Sequence, residues 1–384
     1  MKPVRTLVTG ATGYIGSRLV TALLDDGHQV VAASRNPTRL ADFGWYRNVS
    51  TVSLDAHDET SAQQAFTEAG PIDVVYYLVH GIGQPGFREA DNKAAANVAT
   101  AAKAAGVRRI VYLGGFVPDD DSLSEHLTSR AEVAAALTID GGPDVVWLGA
   151  AIVIGAGSTS FEMLRYVADR FLLLPMPEWA ANPIDPIAVS DVLHYLVAAA
   201  DPEIPAGAYD IKGPETTTYG DLLRTYAQIA GLRRTPVPVY GVDTGLVSKV
   251  SGLILPVPGG LAGDLVESLD FPMTASNRGL QDLVPDPPGG LVGVEDAMRR
   301  AVTSPPRRPV DRLGDPHHLA DTDPDWAGGD TLRLRQLASV VTPPLAWPVL
   351  GLLGFVPRPV AAAVRTGIDH VLGVIGLEPK VIPA

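Results

Sequence analysis

Short apolar runs alternate with helix-like stretches from the first residues onward. Val4 and Thr6–Thr9 make a strand-like run, a glycine-rich turn follows, and Ser17–Asp25 reads as a helix that Gly27 is placed to stop. Gln29–Ala33 is a second apolar run, and Asn36 before Pro37 predicts a capped helix through Phe43. Val49–Leu54, Asp73–Val79 and Arg109–Leu113 read as three more strands, with helices over Thr60–Glu68 and Asp91–Ala105. Asp144–Ile154 is almost continuously apolar, the pattern of a strand covered on both faces. This alternation predicts an α/β fold: a Rossmann-type doubly wound sheet of parallel strands with right-handed crossovers.

The alternation loosens beyond about residue 155. Phe161–Leu174, Ser190–Ala200 and Thr218–Ala230 read as helices, and Ala208–Ile211 as a short strand. Residues 235–260 are rich in Pro, Gly and Val, which suits a substrate-side lobe better than further sheet. The expected organisation is a nucleotide-binding domain over 1–235, its sheet completed by segments up to about 211. A smaller substrate-side lobe is interleaved over 155–302. Residues 303–330 are expected as a linker or extended arm, and 331–384 as an apolar, basic tail.

Composition narrows the chemistry. With no cysteine among 384 residues, disulfides, thiolate zinc sites, iron–sulfur clusters and a cysteine nucleophile are excluded. His317 and His318 have no further ligands at useful spacing, so no metal site is expected. The start of the chain shows no signal-peptide pattern, so a cytoplasmic address is expected, with membrane association open. A formal charge of −13 argues against nucleic acid as a partner. That charge is uneven: residues 331–384 carry five cations against two carboxylates, so the preceding body is more acidic still.

The chemistry begins at Gly10-Ala11-Thr12-Gly13-Tyr14-Ile15-Gly16, a GxxGxxG turn between a strand and a helix. One glycine permits the tight turn, one lets backbone approach a pyrophosphate, and one lets helix and strand pack closely. Phosphates would sit at the helix N-terminus, where unpaired N–H groups favour negative charge. An NAD-preferring site wants an acidic residue after the second strand, to bond the ribose 2′-hydroxyl. This chain offers Ser34-Arg35, with Arg39 a turn further on, a set that suits the 2′-phosphate of NADP(H). Asp55, past the third strand, is placed to meet the adenine edge, and His80 to face the crevice after the fourth. Tyr76, Tyr77 and Tyr112 lie within strands and are expected in the core.

Together with that turn, several segments resemble an atypical short-chain dehydrogenase/reductase. They are Asp55-Ala56-His57-Asp58, Tyr77-Leu78-Val79-His80, Asn97 in its helix, Arg108–Gly115, Ser124–Arg130, Ser160–Tyr166 and Pro186–Val192. The match is with the NmrA-like, NAD(P)H-binding group that also resembles the complex I accessory subunit, and it covers about residues 4–300. In longer members, a stretch like Asp-Pro-Asp-Trp-Ala-Gly-Gly at 323–329 leads into a further domain. The resemblance implies a cofactor site that also draws on Ala56, Leu78, Val79, His80, Gly114 and Arg130.

It also implies a Ser, a Tyr and a Lys four residues after the Tyr, which together protonate and orient a carbonyl. This chain departs from all three. Gly114-Gly115 stands at the serine place, and His126-xxx-Arg130 at the Tyr-xxx-Lys place. Asn97 matches the helix asparagine that supports the proton relay. The spacing of four puts His126 and Arg130 on one helical face, so Arg130 can bind ribose hydroxyls and His126 can polarise a carbonyl. Two functions follow: an NADPH-dependent oxidoreductase acting on a small hydrophobic carbonyl or enone, or a non-catalytic NADP(H)-binding sensor or assembly protein.

The tail adds a question of partners. Residues 336–357 hold no charge, but Pro343, Pro344, Pro348 and Pro357 argue against an unbroken spanning helix. Val360, Val364, Ile368, Val371 and Ile375 recur at near-helical spacing. The segment 336–377 therefore suits docking on the acidic body or in a homodimer, peripheral contact with an anionic membrane, or a span.

Overall fold

The computed structural model describes residues 2–81, 86–116, 125–241, 268–275, 279–303 and 306–329, and the single positions 360 and 364; side chains of 125–127 are left aside. The tail, and most of the Pro- and Gly-rich part of the expected lobe, lie outside the described residues.

The elements follow the alternation of the sequence. In chain order they are β1 (Arg5–Val8), α1 (Tyr14–Asp25), β2 (Gln29–Ser34), β3 (Ser50–Ser53), α2 (Glu59–Ala69), β4 (Val74–Tyr77), α3 (Phe87–Ala104), β5 (Arg109–Gly115), α4 (Glu125–Leu137) and β6 (Asp144–Ala150). There follow β7 (Val153–Ile154), α5 (Thr159–Arg170), β8 (Leu173–Pro177), β9 (Pro183–Ile184), β10 (Ile187–Ala188), α6 (Val189–Ala198), β11 (Gly207–Asp210), β12 (Thr217–Thr218), α7 (Tyr219–Ile229) and β13 (Thr235–Val239). A seven-stranded sheet runs in the order β3-β2-β1-β4-β5-β6-β11, and its strands pair in parallel. The order reverses direction between β1 and β4, and a ligand crevice opens beyond the strand ends at such a switch point. This is the expected Rossmann-type α/β fold.

Two apolar layers flank the sheet. Leu19, Val20 and Leu23 of α1 and Val192 and Leu196 of α6 cover one face; Phe66 of α2, Val98 of α3 and Val133 of α4 cover the other. A third cluster, centred on Phe161, Leu164, Leu222, Tyr226 and Met298, is the core of the lobe built from α5, α7 and the helix Val294–Val302.

Four local expectations are corrected. The helix expected from Pro37 is 3-10, Pro37–Asp42, and Phe43 closes it before a second 3-10 segment. Asn36 does cap it, accepting from Thr38 N at 3.2 Å. The apolar run 144–154 is two strands: β6 stops at Ala150, in register with the end of β5, and Val153–Ile154 pairs instead with β10. The helix expected to Leu174 ends at Arg170, because the chain then extends into β8. Finally, α3 starts one turn before Asp91, so Asp91 faces inward and is buried.

Residues 306–329 were expected as a linker or extended arm, and they lie packed against α1 and α5. Arg18 meets Asp323 through two parallel bonds of 2.9 and 2.7 Å, and both side chains are buried. The same guanidinium donates to the carbonyls of Pro316 and His318. Glu162, wholly buried, accepts from Gly157 N at 3.0 Å and from Gly328 N at 2.9 Å. The Pro- and Asp-rich sequence lacks periodicity because its backbone polar groups are satisfied by short turns, such as Arg312 N to Pro309 O and Ala327 N to Pro324 O, and by these side chains rather than by a ladder.

A buried ion pair broken on one side leaves a charge without a partner, at a cost of about 3–5 kcal/mol. Asp323→Ala is therefore expected to lower the unfolding free energy by roughly that amount in urea titration. A loss below about 1 kcal/mol, the size typical of an exposed pair, would show that the arm contributes little to the fold.

Candidate functional site

The phosphate turn is built as the sequence requires. Gly10 has φ +67°, and a Cβ there would lie 2.8 Å from the Leu78 carbonyl oxygen. A Cβ on Gly16 would lie 2.1 Å from the Gly10 oxygen, so α1 rests directly on the turn. Gly13 leads into α1 in an extended conformation, and no side chain caps the helix. The first-turn N–H groups at Tyr14, Ile15 and Gly16 thus point out of the helix end without a capping side chain, and Thr12 flanks them, half-buried. Thr9 joins the two strands at the switch point: its hydroxyl donates to Tyr76 O at 3.0 Å and accepts from Leu78 N at 3.1 Å. Bare donors, a close backbone and an open helix end fit a dinucleotide pyrophosphate.

At the end of β2, Ser34 accepts from Asn36 N at 3.2 Å, Arg35 is exposed and Arg39 is half-buried. No carboxylate stands at the tip of β2 itself. Past β3, Asp55 accepts from His57 N at 3.1 Å and Asp58 caps α2, which fixes the loop expected to meet the adenine. Asn97, the resemblance's proton-relay residue, donates from its amide to Ala56 O at 2.9 Å. That bond anchors the loop after β3 to α3.

Leu78, Val79 and His80 follow β4, and Gly114 and Gly115 end the neighbouring β5. Arg130 is buried in α4, with its Cγ 3.9 Å from where a Gly115 Cβ would stand. His80 is exposed as a residue, yet groups packed around its ring and the Arg130 guanidinium both lower its pKa, so it is neutral at pH 7. His126 lies in the first turn of α4, and its side chain is outside the described residues.

Of the two glycines at the serine place, Gly115 has room for a Cβ, 3.8 Å from the Ala150 oxygen, and Gly114 does not. A Cβ on Gly114 would lie 2.7 Å from Trp147 Nε1 and 3.0 Å from the Tyr112 ring. Tyr77, Tyr112 and Trp147 sit directly opposite one another on β4, β5 and β6, with ring centroids 6.1 and 6.2 Å apart. Beside them is Asp91, an acid the hydropathy pattern hides because it sits where a helix start was expected. Burial raises its pKa, while Gly81 N–H, Arg130 and His57 act in the opposite direction. A cavity of about 870 Å³ lies elsewhere, lined by Asp25, His194, Asp201 and Val284 among others. It does not touch the glycine turn, and the crevice, not this cavity, has the geometry for a dinucleotide.

Comparison with known proteins agrees with that geometry. Residues 10–140 match the NAD(P)H-binding family model. An uncharacterized protein of Mycobacterium tuberculosis is 27% identical over 239 residues, 62% of this chain. The chain spans about a quarter (24%) of that relative's length. A 3-beta-hydroxysteroid dehydrogenase of Mycolicibacterium neoaurum is 30% identical over 28% of the chain and 31% of its own length. Sterol demethylase protein B of Methylococcus capsulatus is 25% identical over 59% of the chain and 74% of its own length.

Solved structures share the fold. A nucleoside-diphosphate-sugar epimerase from Staphylococcus aureus superposes with a TM-score of 0.60 at 17% identity, covering 77% of this chain and 99% of that one. The Citrobacter triphenylmethane reductase complexed with NADP(H) gives 0.59 at 18% identity, over 77% and 99%. A Bordetella bronchiseptica enzyme in complex with NAD+ gives 0.52 at 20% identity, over 62% and 85%.

Two outcomes follow from the geometry. Gly16→Ala forces α1 off the turn, an overpacking worth about 1–3 kcal/mol, so dinucleotide affinity is expected to fall about tenfold or more in calorimetry. Unchanged affinity in a folded variant would show that the turn does not hold the pyrophosphate. The His80 ring is expected to stay neutral down through pH 6 in an NMR titration, and Arg130→Gln to move its titration upward. An ordinary imidazole titration in the native chain would contradict the crowding and charge seen around it.

Proposed function

We propose that this chain, whose NAD(P)H-binding domain is of the atypical short-chain dehydrogenase/reductase, NmrA-like type, is an NADPH-dependent oxidoreductase acting on a hydrophobic carbonyl or enone. The observation that carries the reading is the pairing of an open, glycine-built helix end with Ser34, Arg35 and Arg39 at the ribose side. The N-terminus of α1 receives the pyrophosphate, and the arginines attract a 2′-phosphate. A bound nicotinamide dinucleotide supplies the hydride.

The remaining work falls to the chain. Arg130, in α4 beside the end of β5, holds ribose hydroxyls and carries fixed positive charge into the crevice. His126, one turn earlier in α4, donates an N–H to the substrate oxygen and polarises it without full proton transfer. His80, neutral because its ring is packed and because Arg130 is near, adds no charge that would repel Arg130. A lipophilic substrate is supported by the names of two partial relatives, a hydroxysteroid dehydrogenase and a sterol demethylase component.

A second reading has its own support. The places of the serine, tyrosine and lysine that work on a carbonyl in related reductases are taken here by Gly114-Gly115, His126 and Arg130. A non-catalytic NADP(H)-binding sensor or assembly protein would be built in that way.

The readings separate on turnover. Under the first, NADPH is consumed in the presence of a panel of sterol ketones and other lipophilic enones. His126→Ala is then expected to lower kcat by about 10²-fold or more, the usual worth of a positioned proton donor, with little change in KM. Arg130→Ala is expected to weaken NADPH binding as well. Tight NADPH binding with no consumption across the panel would reject the enzyme and leave the sensor.

A further inference from the structure

Outside the main sheet, β8 and β13 pair in parallel, from Thr235 opposite Leu173 to Val239 opposite Pro177. At the end where Leu173 meets Thr235, two adjacent large apolar side chains are exposed, Leu172 at 68% and Leu173 at 58%. Exposed apolar residues grouped in this way mark an interaction site, whereas scattered ones do not. Tyr240 is also exposed, but it follows the opposite end of the ribbon, where Val239 meets Pro177 and the exposed Glu178 comes next. The charge at the leucine end is one-sided: Arg170, Arg233 and Arg234 flank it in a chain whose formal charge is −13, and the adjoining Asp169 is buried. Arg234 is held in place, donating to the carbonyls of Ala168 at 2.7 Å and Asp169 at 2.8 Å.

We propose that this ribbon is the surface on which the protein rests on an anionic lipid membrane. Adjacent exposed leucines at one end of the ribbon and flanking guanidiniums are the chemistry of an interfacial contact: apolar groups enter the acyl boundary while cations meet headgroup phosphates. Among the described residues no helix is long and apolar enough to cross a membrane, so the contact is peripheral. A partner strand is opposed by the sequence. Pro175, Pro177, Pro236 and Pro238 remove the N–H donors that edge pairing needs. The inference stands apart from the choice between enzyme and sensor, since it uses none of the crevice residues.

The absence of cysteine makes a direct test available. Full-length L173C, labelled with a polarity-sensitive fluorophore, is mixed with vesicles of phosphatidylcholine alone or with added phosphatidylglycerol. The expected result is a solvent-exposed spectrum in buffer, a blue shift on the anionic vesicles, and binding at least tenfold weaker on the neutral ones. In sedimentation of unlabelled protein, R233E is expected to weaken anionic binding several-fold and L172E/L173E to abolish it, with NADPH binding unchanged in both. A fluorophore already shielded in buffer would mean that a segment of the chain or a second copy covers the ribbon, and would overturn the proposal. So would failure to bind either vesicle, or binding that survives L172E/L173E and is lost in the tail variant R358E/R365E.

Discussion

The approach of α1 to its own glycine turn is the constraint from which the rest of the nucleotide half follows. With Gly16 against the Gly10 carbonyl there is no room for a Cβ, so the helix axis is fixed relative to β1 and to the crevice. That fixed axis decides where the first-turn N–H groups point. It also sets the position of Tyr14, whose ring lies under the Arg18 guanidinium at 4.0 Å and whose hydroxyl is buried without a hydrogen-bond partner among the described residues. Arg18, a turn further along, is then where the 306–329 arm attaches through Asp323. One close contact thus couples the phosphate end of the site to a segment about 300 residues away in sequence, as the Arg18–Asp323 bond records.

The reacting side of the crevice rests on a different arrangement. The aromatic row Tyr77–Tyr112–Trp147 occupies the space beside Gly114, and Tyr77 Oη, Trp147 Nε1 and Asp91 Oδ1 are buried there with no partner among the described residues. Unpaired buried polar atoms are costly. Burial raises the Tyr77 and Tyr112 hydroxyls above their ordinary pKa, so they remain protonated donors. Arg130 lies beside this cluster. Under the proposed function, fixed positive charge and neutral donors would act in the crevice where a lysine-activated tyrosine acts in related reductases.

Much of this was legible in the sequence where the residue type has a mechanical role. The glycines could be read because turn, close approach and helix packing each exclude a side chain, and β2 ended where Ser34-Arg35 suggested. Periodicity was less informative where tertiary contacts override it. The run 144–154 is apolar throughout, so nothing in it signals that Ala150 ends one strand and Val153 starts another in a different pairing. The 306–329 arm has no period at all, and its order comes from Arg18 and Glu162, long-range partners that no local pattern reveals. Asp91 was hidden for a related reason: an acid near a helix start reads as a cap, whereas here the helix has already begun at Phe87. Asn97 was expected in the proton relay; in the structure its amide bonds Ala56 and ties α3 to the loop after β3.

The central claim is that the open end of α1 and the cations after β2 together form a site for a 2′-phosphorylated dinucleotide. Calorimetry of NADPH and NADH against the native chain and Arg35→Asp tests it most directly. The account predicts that the native chain binds NADPH at least about tenfold more tightly, the worth of one charge-assisted phosphate contact, and that Arg35→Asp reverses the order. Equal affinity for the two cofactors in the native chain, or a preference that Arg35→Asp leaves unchanged, would contradict it.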